Sequence, residues 1–192
     1  MVWLVVGLLL FLGAHSVRIV ADGWRSATIA RLGEGAWKGL YTLVSIAGFV
    51  LIVWGFGQAR MTTPQLWAPP IGMRHLASLL TLLAFVLLAA AYVPRNHLKA
   101  RLHHPMVLAV KTWALAHLLS NGSLADVLLF GSFLLWAVLD FRAARQRDRA
   151  SGTVYAAGTA TGTIITVVVG LVGWALFAFW LHGLLIGIRP LG

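Results

Sequence analysis

Long apolar runs, one after another, constrain this chain more than any other feature. A helix needs about 20 mostly apolar residues to cross a bilayer. Runs of that kind fill residues 1–17, 37–57, 73–93, 124–141 and about 163–188, with a shorter one at 105–119. The sequence is 60% hydrophobic and only 10% charged, with a mean hydropathy of +0.87. Soluble domains run at about 45–50% apolar and about 25% charged. A water-soluble core cannot absorb the difference, whereas a bilayer can. The expected fold is therefore all-α, a polytopic integral membrane bundle of about six transmembrane helices forming a single domain over residues 1–192. The first run starts without a basic segment before it, and Arg18 and Arg25 follow it with no small-residue cleavage pattern. It reads as an uncleaved first helix rather than a signal peptide.

Charge gives the orientation. The formal net charge is +10, from 15 Lys and Arg against 5 Asp and Glu. The cations form no nucleic-acid patch or motif but sit between the apolar runs, so no nucleic-acid partner is expected. Arg18, Arg25, Arg31 and Lys38 follow the first run; Arg95, Lys99 and Arg101 follow the third; Arg142, Arg145, Arg147 and Arg149 follow the fifth. The alternate connections and the end carry only Arg60, Arg74 and Arg189, with Lys111 inside the fourth run. The richer face is expected in the cytoplasm, which leaves both termini outside. The chain has no cysteine, which excludes disulfides, thiolate metal sites, iron–sulfur clusters and a thiol nucleophile.

Local signals fill in the connections. Asn121-Gly122 reads as a tight turn joining the fourth and fifth helices into a hairpin. Residues 141–149 read as a basic, solvated extension of the fifth helix. Gly158 and Gly162, and Gly183 and Gly187, have the GxxxG spacing that permits close helix packing, here more simply within the chain than between copies.

Seven histidines stand against five carboxylates. His15, His117 and His182 lie inside apolar runs, and His75 and His104 at the start of one; His97 and His103 read as loop or interface residues. Intramembrane ionisable groups are functional hypotheses by default, although a structural hydrogen bond is the alternative for any one of them. Neutral imidazole binds iron, zinc and copper. Zinc chemistry favours clustered ligands with carboxylate support, and no HExxH pattern occurs. Histidines facing one another from helices in an apolar core suit haem better, with cations such as Arg18 as partners for its propionates.

The order of several short motifs resembles the NnrU family over essentially the whole chain. They are Gly13-Ala14-His15-Ser16 with Arg18, then Arg31-Leu32-Gly33-Glu34-Gly35 with Trp37-Lys38-Gly39-Leu40-Tyr41, Gln65-Leu66-Trp67, and Arg74-His75-Leu76. His104-Pro105-Met106 leading to Lys111, Trp113-Ala114-Leu115-Ala116-His117 and Asn121-Gly122 form the most specific stretch. Trp136-Ala137-Val138-Leu139-Asp140 and Leu181-His182 complete it. The resemblance implies a multi-pass protein of the bacterial inner (cytoplasmic) membrane, associated with nitrite and nitric oxide reduction. The family is similar to plant zeta-carotene isomerase, a membrane haem b protein, whose haem-ligating histidines fall in the stretches matching His15 and His117. This chain has Ala114 where the isomerase carries a redox-active cysteine, a departure that bears on any isomerase-like reaction.

The implied metal ligands are thus His15 and His117, with Arg18, Lys111, His104 and His75 as further cofactor-binding candidates. Depth argues for keeping the last two. By helical rise His117 lies roughly 18 Å from the cytoplasmic edge and His15 roughly 5 Å, if Arg18 marks that edge. His104 would match His15 more easily, and His75 or His182 could pair with His117. Lys111, seven residues from His104 on the same face, either snorkels to the boundary or partners an anionic group. Glu34 and Asp140 read as salt-bridge partners of nearby arginines. The expected function is an inner-membrane haem b protein of nitric oxide handling, in contact with lipid and with nitric oxide or an apolar polyene. The alternatives are a haem-dependent cis-trans isomerase of a polyene lipid, or a cofactor-free membrane protein with structural histidines.

Overall fold

The computed structural model describes residues 1–191. Among them all regular structure is helical: α1 (Val2–Val20), α2 (Asp22–Leu32), α3 (Glu34–Thr62), α4 (Ile71–Tyr92), α5 (His97–Leu102), α6 (Pro105–Ser120), α7 (Leu124–Ser151), α8 (Ala160–Leu176) and α9 (His182–Ile186), with a π-helical turn, Phe177–Leu181, joining the last two. Five stretches, α1, α3, α4, α7 and Ala160–Ile186, are long and apolar enough to cross a membrane; α6 is a shorter apolar helix. Large side chains such as Leu9, Leu43 and Val53 point outward, which a bilayer tolerates and water does not. The chain is an all-helical, multi-pass membrane protein.

Each helix begins and ends for a local reason. Gly33, at φ +83°, separates α2 from α3. Glu34 in the first turn of α3 pairs with Lys38 one turn on at 2.8 Å. Pro105 opens α6 at its first position, where a missing N–H costs nothing. Ser123 and Asp126 form a reciprocal cap on α7, with Asp126 N–H donating to Ser123 Oγ and Ser123 N–H to Asp126 Oδ2. Thr159 caps α8 by accepting from Gly162 N–H.

Two connections differ from the sequence reading. The basic segment after the first run is not a loop: Arg18 lies in the last turn of α1, Arg25 and Arg31 in α2, and Lys38 in α3. No residue of α2 is buried. Trp24 meets Trp37 edge to face at 5.8 Å, and the Arg25 guanidinium lies 6.0 Å from the Trp37 ring centre. Asn121-Gly122 lies in the short connection between α6 and α7, with Asn121 extended. Gly122 is required by a close approach: a Cβ there would come within 2.0 Å of the Trp67 carbonyl oxygen. The Gly183–Gly187 pair is a helix stop, with Gly187 in the left-handed region at φ +78°.

The chain divides into two compact units, one of residues 1–68 and 122–143, the other of 69–121 and 144–191. In the first, α1 lies against α3 along a seam of small residues. The buried positions of α3, Gly48, Ile52, Gly55 and Ala59, alternate by four and three, the spacing of one helix face. A Cβ at Gly7 would stand 2.6 Å from Ile52 N, at Gly48 2.7 Å from Phe11 N, and at Gly55 2.3 Å from Leu4 N. Lipid removes the hydrophobic drive between helices, so this backbone proximity supplies the packing. Phe56 meets Phe130 and Phe11 meets Phe133, which adds the first part of α7 to the unit.

In the second unit α4 packs on α6 and α8. Gly170 touches the Val86 backbone closely enough to exclude a Cβ. Asn96, 1% exposed, ties the end of α4 to α5: its side-chain amide donates to the carbonyls of Ala90 and Val93 and its oxygen accepts from Lys99 N–H. Gly158 and Gly162 make close approaches, but not as a helix face packed on another helix, because Gly158 precedes α8. They press on the backbone of His97 and of Pro94-Arg95, and Thr159 N–H donates to the Arg95 carbonyl at 2.7 Å.

Candidate functional site

His15 lies in the first unit, near the C-terminal end of α1. Its Nδ1 is 2.7 Å from the carbonyl of Phe11, one turn earlier. A carbonyl can only accept, so Nδ1 carries the proton and the neutral ring keeps its lone pair on Nε2. Aromatic groups surround the ring: Phe11 stacks on it at 4.2 Å, Tyr41 lies at 5.2 Å, and Trp136 meets it edge-on at 6.0 Å. The indole Nε1 of Trp136 is buried without an acceptor. A buried donor left without a partner is costly, so this neighbourhood has room in its hydrogen bonding for an acceptor the chain does not supply. Arg18, one turn on, is exposed.

His117 repeats the arrangement in the second unit. Its Nδ1 lies 2.9 Å from the carbonyl of Trp113, four residues back on α6, and the Trp113 ring is 5.2 Å away. The same reasoning puts the proton on Nδ1 and the lone pair on Nε2. Asn121 fixes the helix end below it by donating to the His117 carbonyl at 2.9 Å. An Nδ1–H anchored to a backbone carbonyl is the usual support of a metal-bound imidazole, since it holds tautomer and ring orientation together. Both rings fit that role by donor chemistry. Four residues back along a helix is also where any unpaired histidine finds an acceptor, so the fit permits ligation without requiring it.

The remaining candidates are spread over the second unit. His75 is exposed in the first turns of α4, and Lys111 is half-buried in α6. His182 points its Nδ1 at the Ile188 carbonyl, 2.6 Å away, and so closes the end of α9. His97 is built into the docking of α8, where its backbone N–H and its Nδ1 both meet Thr163 Oγ1, at 3.0 and 2.8 Å. Among the described residues no three His, Asp or Glu side chains gather as a metal-binding group.

One cluster was not foreseen. His104 Nε2 lies 2.8 Å from Asp148 Oδ2, and the Tyr155 hydroxyl donates to the same oxygen at 2.9 Å. The His103 ring stacks on Tyr155 at 4.1 Å and 18°, and Arg145 donates to its Nδ1. Burial, and next the hydrogen bond to Asp148, push the Tyr155 phenol up to about 12. His103 sits at φ +71°, ψ −75°, with His104 N–H bonded to the Leu102 carbonyl at 3.1 Å. That is a strained γ-turn, rare outside glycine. The sequence marks His103 only as a loop residue and gives no motif for Asp148 or Tyr155. A signal was present: Asp148 is the one carboxylate among Arg142, Arg145, Arg147 and Arg149, and an acid retained inside a basic segment has a local partner to serve.

The sequence model of the NnrU protein family matches residues 3–190, nearly the whole chain, and the chain belongs to that family. No curated protein and no solved structure matches it.

Proposed function

We propose, with membership of the NnrU family as the premise, that this membrane protein binds haem b, with His15 and His117 as the iron-ligating residues. The observation that carries the reading is shared by the two histidines: each has its Nδ1 anchored on the carbonyl four residues back, so that Nε2 is the ligating nitrogen. The orphaned Trp136 indole beside His15 supports it. Arg18 and Lys111 are the cations assigned on this reading to carboxylate groups of the cofactor. Bound haem would supply one-electron chemistry. The chain's own contribution is to hold the two imidazoles in one tautomer and to surround His15 with aromatic surface.

The protein belongs, on this reading, in the bacterial inner membrane, with six spans, the basic connections in the cytoplasm and a role in nitrogen-oxide metabolism. The test is a visible spectrum of detergent-purified protein expressed with ample haem, oxidised and reduced, followed by a pyridine haemochrome assay. A Soret band with a b-type haemochrome is expected, since a chain without cysteine cannot attach haem through thioethers. A colourless but well-folded protein overturns the reading. Turnover of a poly-cis carotenoid by the haem-loaded protein would move the function to isomerisation.

A further inference from the structure

We propose that a cleft in the second unit, formed where α5, α6 and the segment after α7 meet, binds a phosphoryl anion of the kind borne by a membrane lipid headgroup. The cleft measures about 290 Å³ and is lined by none of His15, His117, Arg18 and Lys111, so the inference stands without the haem reading. Its lining combines the polar side chains of Lys99, His103, His104 and Tyr155 with the apolar ones of Met106 and Val107.

The donors follow from hydrogen-bond chemistry. Lys99 Nζ uses one of its three protons on the Ala91 carbonyl, at 3.0 Å, and the others remain for a ligand. Arg145 cannot accept a hydrogen bond, so its contact with His103 Nδ1 makes that nitrogen the acceptor. The neutral His103 ring then carries its proton on Nε2, a second donor at the cleft. Asp148 keeps its negative charge, with its Oδ2 taking the donors of Tyr155 and His104. Lys99 and Arg145 against Asp148 leave the local balance positive.

Two further features point the same way. The γ-turn that presents His103 is strained, and such strain persists where the surroundings over-determine it, commonly at ligand sites. The first turn of α6, which forms part of the wall, adds the positive end of a 16-residue helix. The apolar wall of Met106 and Val107 would take the glycerol and the start of an acyl chain. Basic pockets of this build, on the charged face of a membrane protein, receive anionic headgroups.

The test is calorimetric titration of the full chain in neutral detergent with dioctanoyl phosphatidylglycerol, with dioctanoyl glycerol and with inorganic phosphate. Phosphatidylglycerol should bind saturably and dioctanoyl glycerol should not. Lys99→Gln should weaken phosphatidylglycerol by about tenfold, the scale of one charge-assisted hydrogen bond. Val107→Trp, which fills the apolar wall, should weaken the lipid more than inorganic phosphate. Inorganic phosphate binding as tightly as the lipid would assign the cleft to the free anion. Dioctanoyl glycerol binding as well as phosphatidylglycerol, or an affinity unchanged in folded Lys99→Gln, overturns the proposal. Should Lys99→Gln fail to fold, the three probes on the unmodified chain decide it, and a binding constant indifferent to salt counts against the anion.

Discussion

Asp148 and His104, forty-four residues apart in sequence, meet with Oδ2 2.8 Å from Nε2. The carboxylate comes from the basic end of α7 and the imidazole from the residue that precedes α6, so one hydrogen bond fastens two helix termini. Tyr155 joins the same oxygen from the next connection. Removing the carboxylate charge should therefore be felt at Tyr155. In Asp148→Asn the Tyr155 phenolate should form at lower pH than in the unmodified chain, yet above the ordinary value of 10.0, because burial, the larger cause, remains. Ultraviolet difference titration, with Tyr155→Phe as the subtraction, reads this directly. An unmoved titration would mean that the carboxylate does not act on the phenol.

The seam of α1 and α3 gives a prediction in which sign matters. Gly55 has the Leu4 backbone where a Cβ would sit, and Gly57, two residues on, has nothing within 4 Å. Gly55→Ala should cost about 1–3 kcal/mol through overpacking, whereas Gly57→Ala should be neutral or slightly stabilising through helix propensity. Thermal unfolding in one detergent compares them. Equal losses would show that the seam is not the close contact described.

Asn96 carries the junction of α4 and α5. Asn96→Ala would leave the Ala90 and Val93 carbonyls and the Lys99 N–H without their buried partner, at a cost of about 1–3 kcal/mol. Proteolysis at the connection following α4 should accelerate alongside the lower melting temperature. A melting temperature equal to that of the unmodified chain would show the cap to be dispensable.

Haem retention should depend on His15 and His117. Alanine at either position should abolish or strongly weaken it, and His97→Ala should leave the spectrum unchanged, since that ring is held by Thr163. His75→Ala and His104→Ala test the depth argument. Loss of the low-spin spectrum in His104→Ala with its retention in His117→Ala would transfer ligation to His104.

Topology is open to reporter fusions. A reporter inserted after Gly152, beyond the arginines of α7, should be active in the cytoplasm, and one fused at the C-terminal end should be active outside. A cytoplasmic C-terminal end would refute six spans.

Much of the fold was legible because the signals behind it are local. A run of apolar residues must leave water whatever it packs against, so the long helices appear within a few residues of the runs that announced them, and α6 begins at Pro105 as expected. The extension of α7 through Arg149 was readable for the same reason. Helix α2 was not, because its residues carry no apolar run: Asp22 at its start, Gly33 at its end and the pairing of Trp24 with Trp37 make it a helix.

Sequence alone determined that this chain is helical and crosses a membrane several times, and its ordered motifs disclosed the family. Both follow from composition and short-range pattern, which survive any rearrangement of the helices. The tertiary structure decided which glycines matter and which histidines are taken. GxxxG spacing marked Gly158 and Gly162, but the α1–α3 seam makes its close approaches at Gly7, Gly48 and Gly55, which no such spacing marked. His103 read as a loop residue and His104 as a ligand candidate at the start of a run, yet His103 stacks on Tyr155 and His104 bonds Asp148 in one cluster. Contacts between residues tens of positions apart depend on where each helix stops and how the chain turns there. A single strained residue, His103, sets that turn.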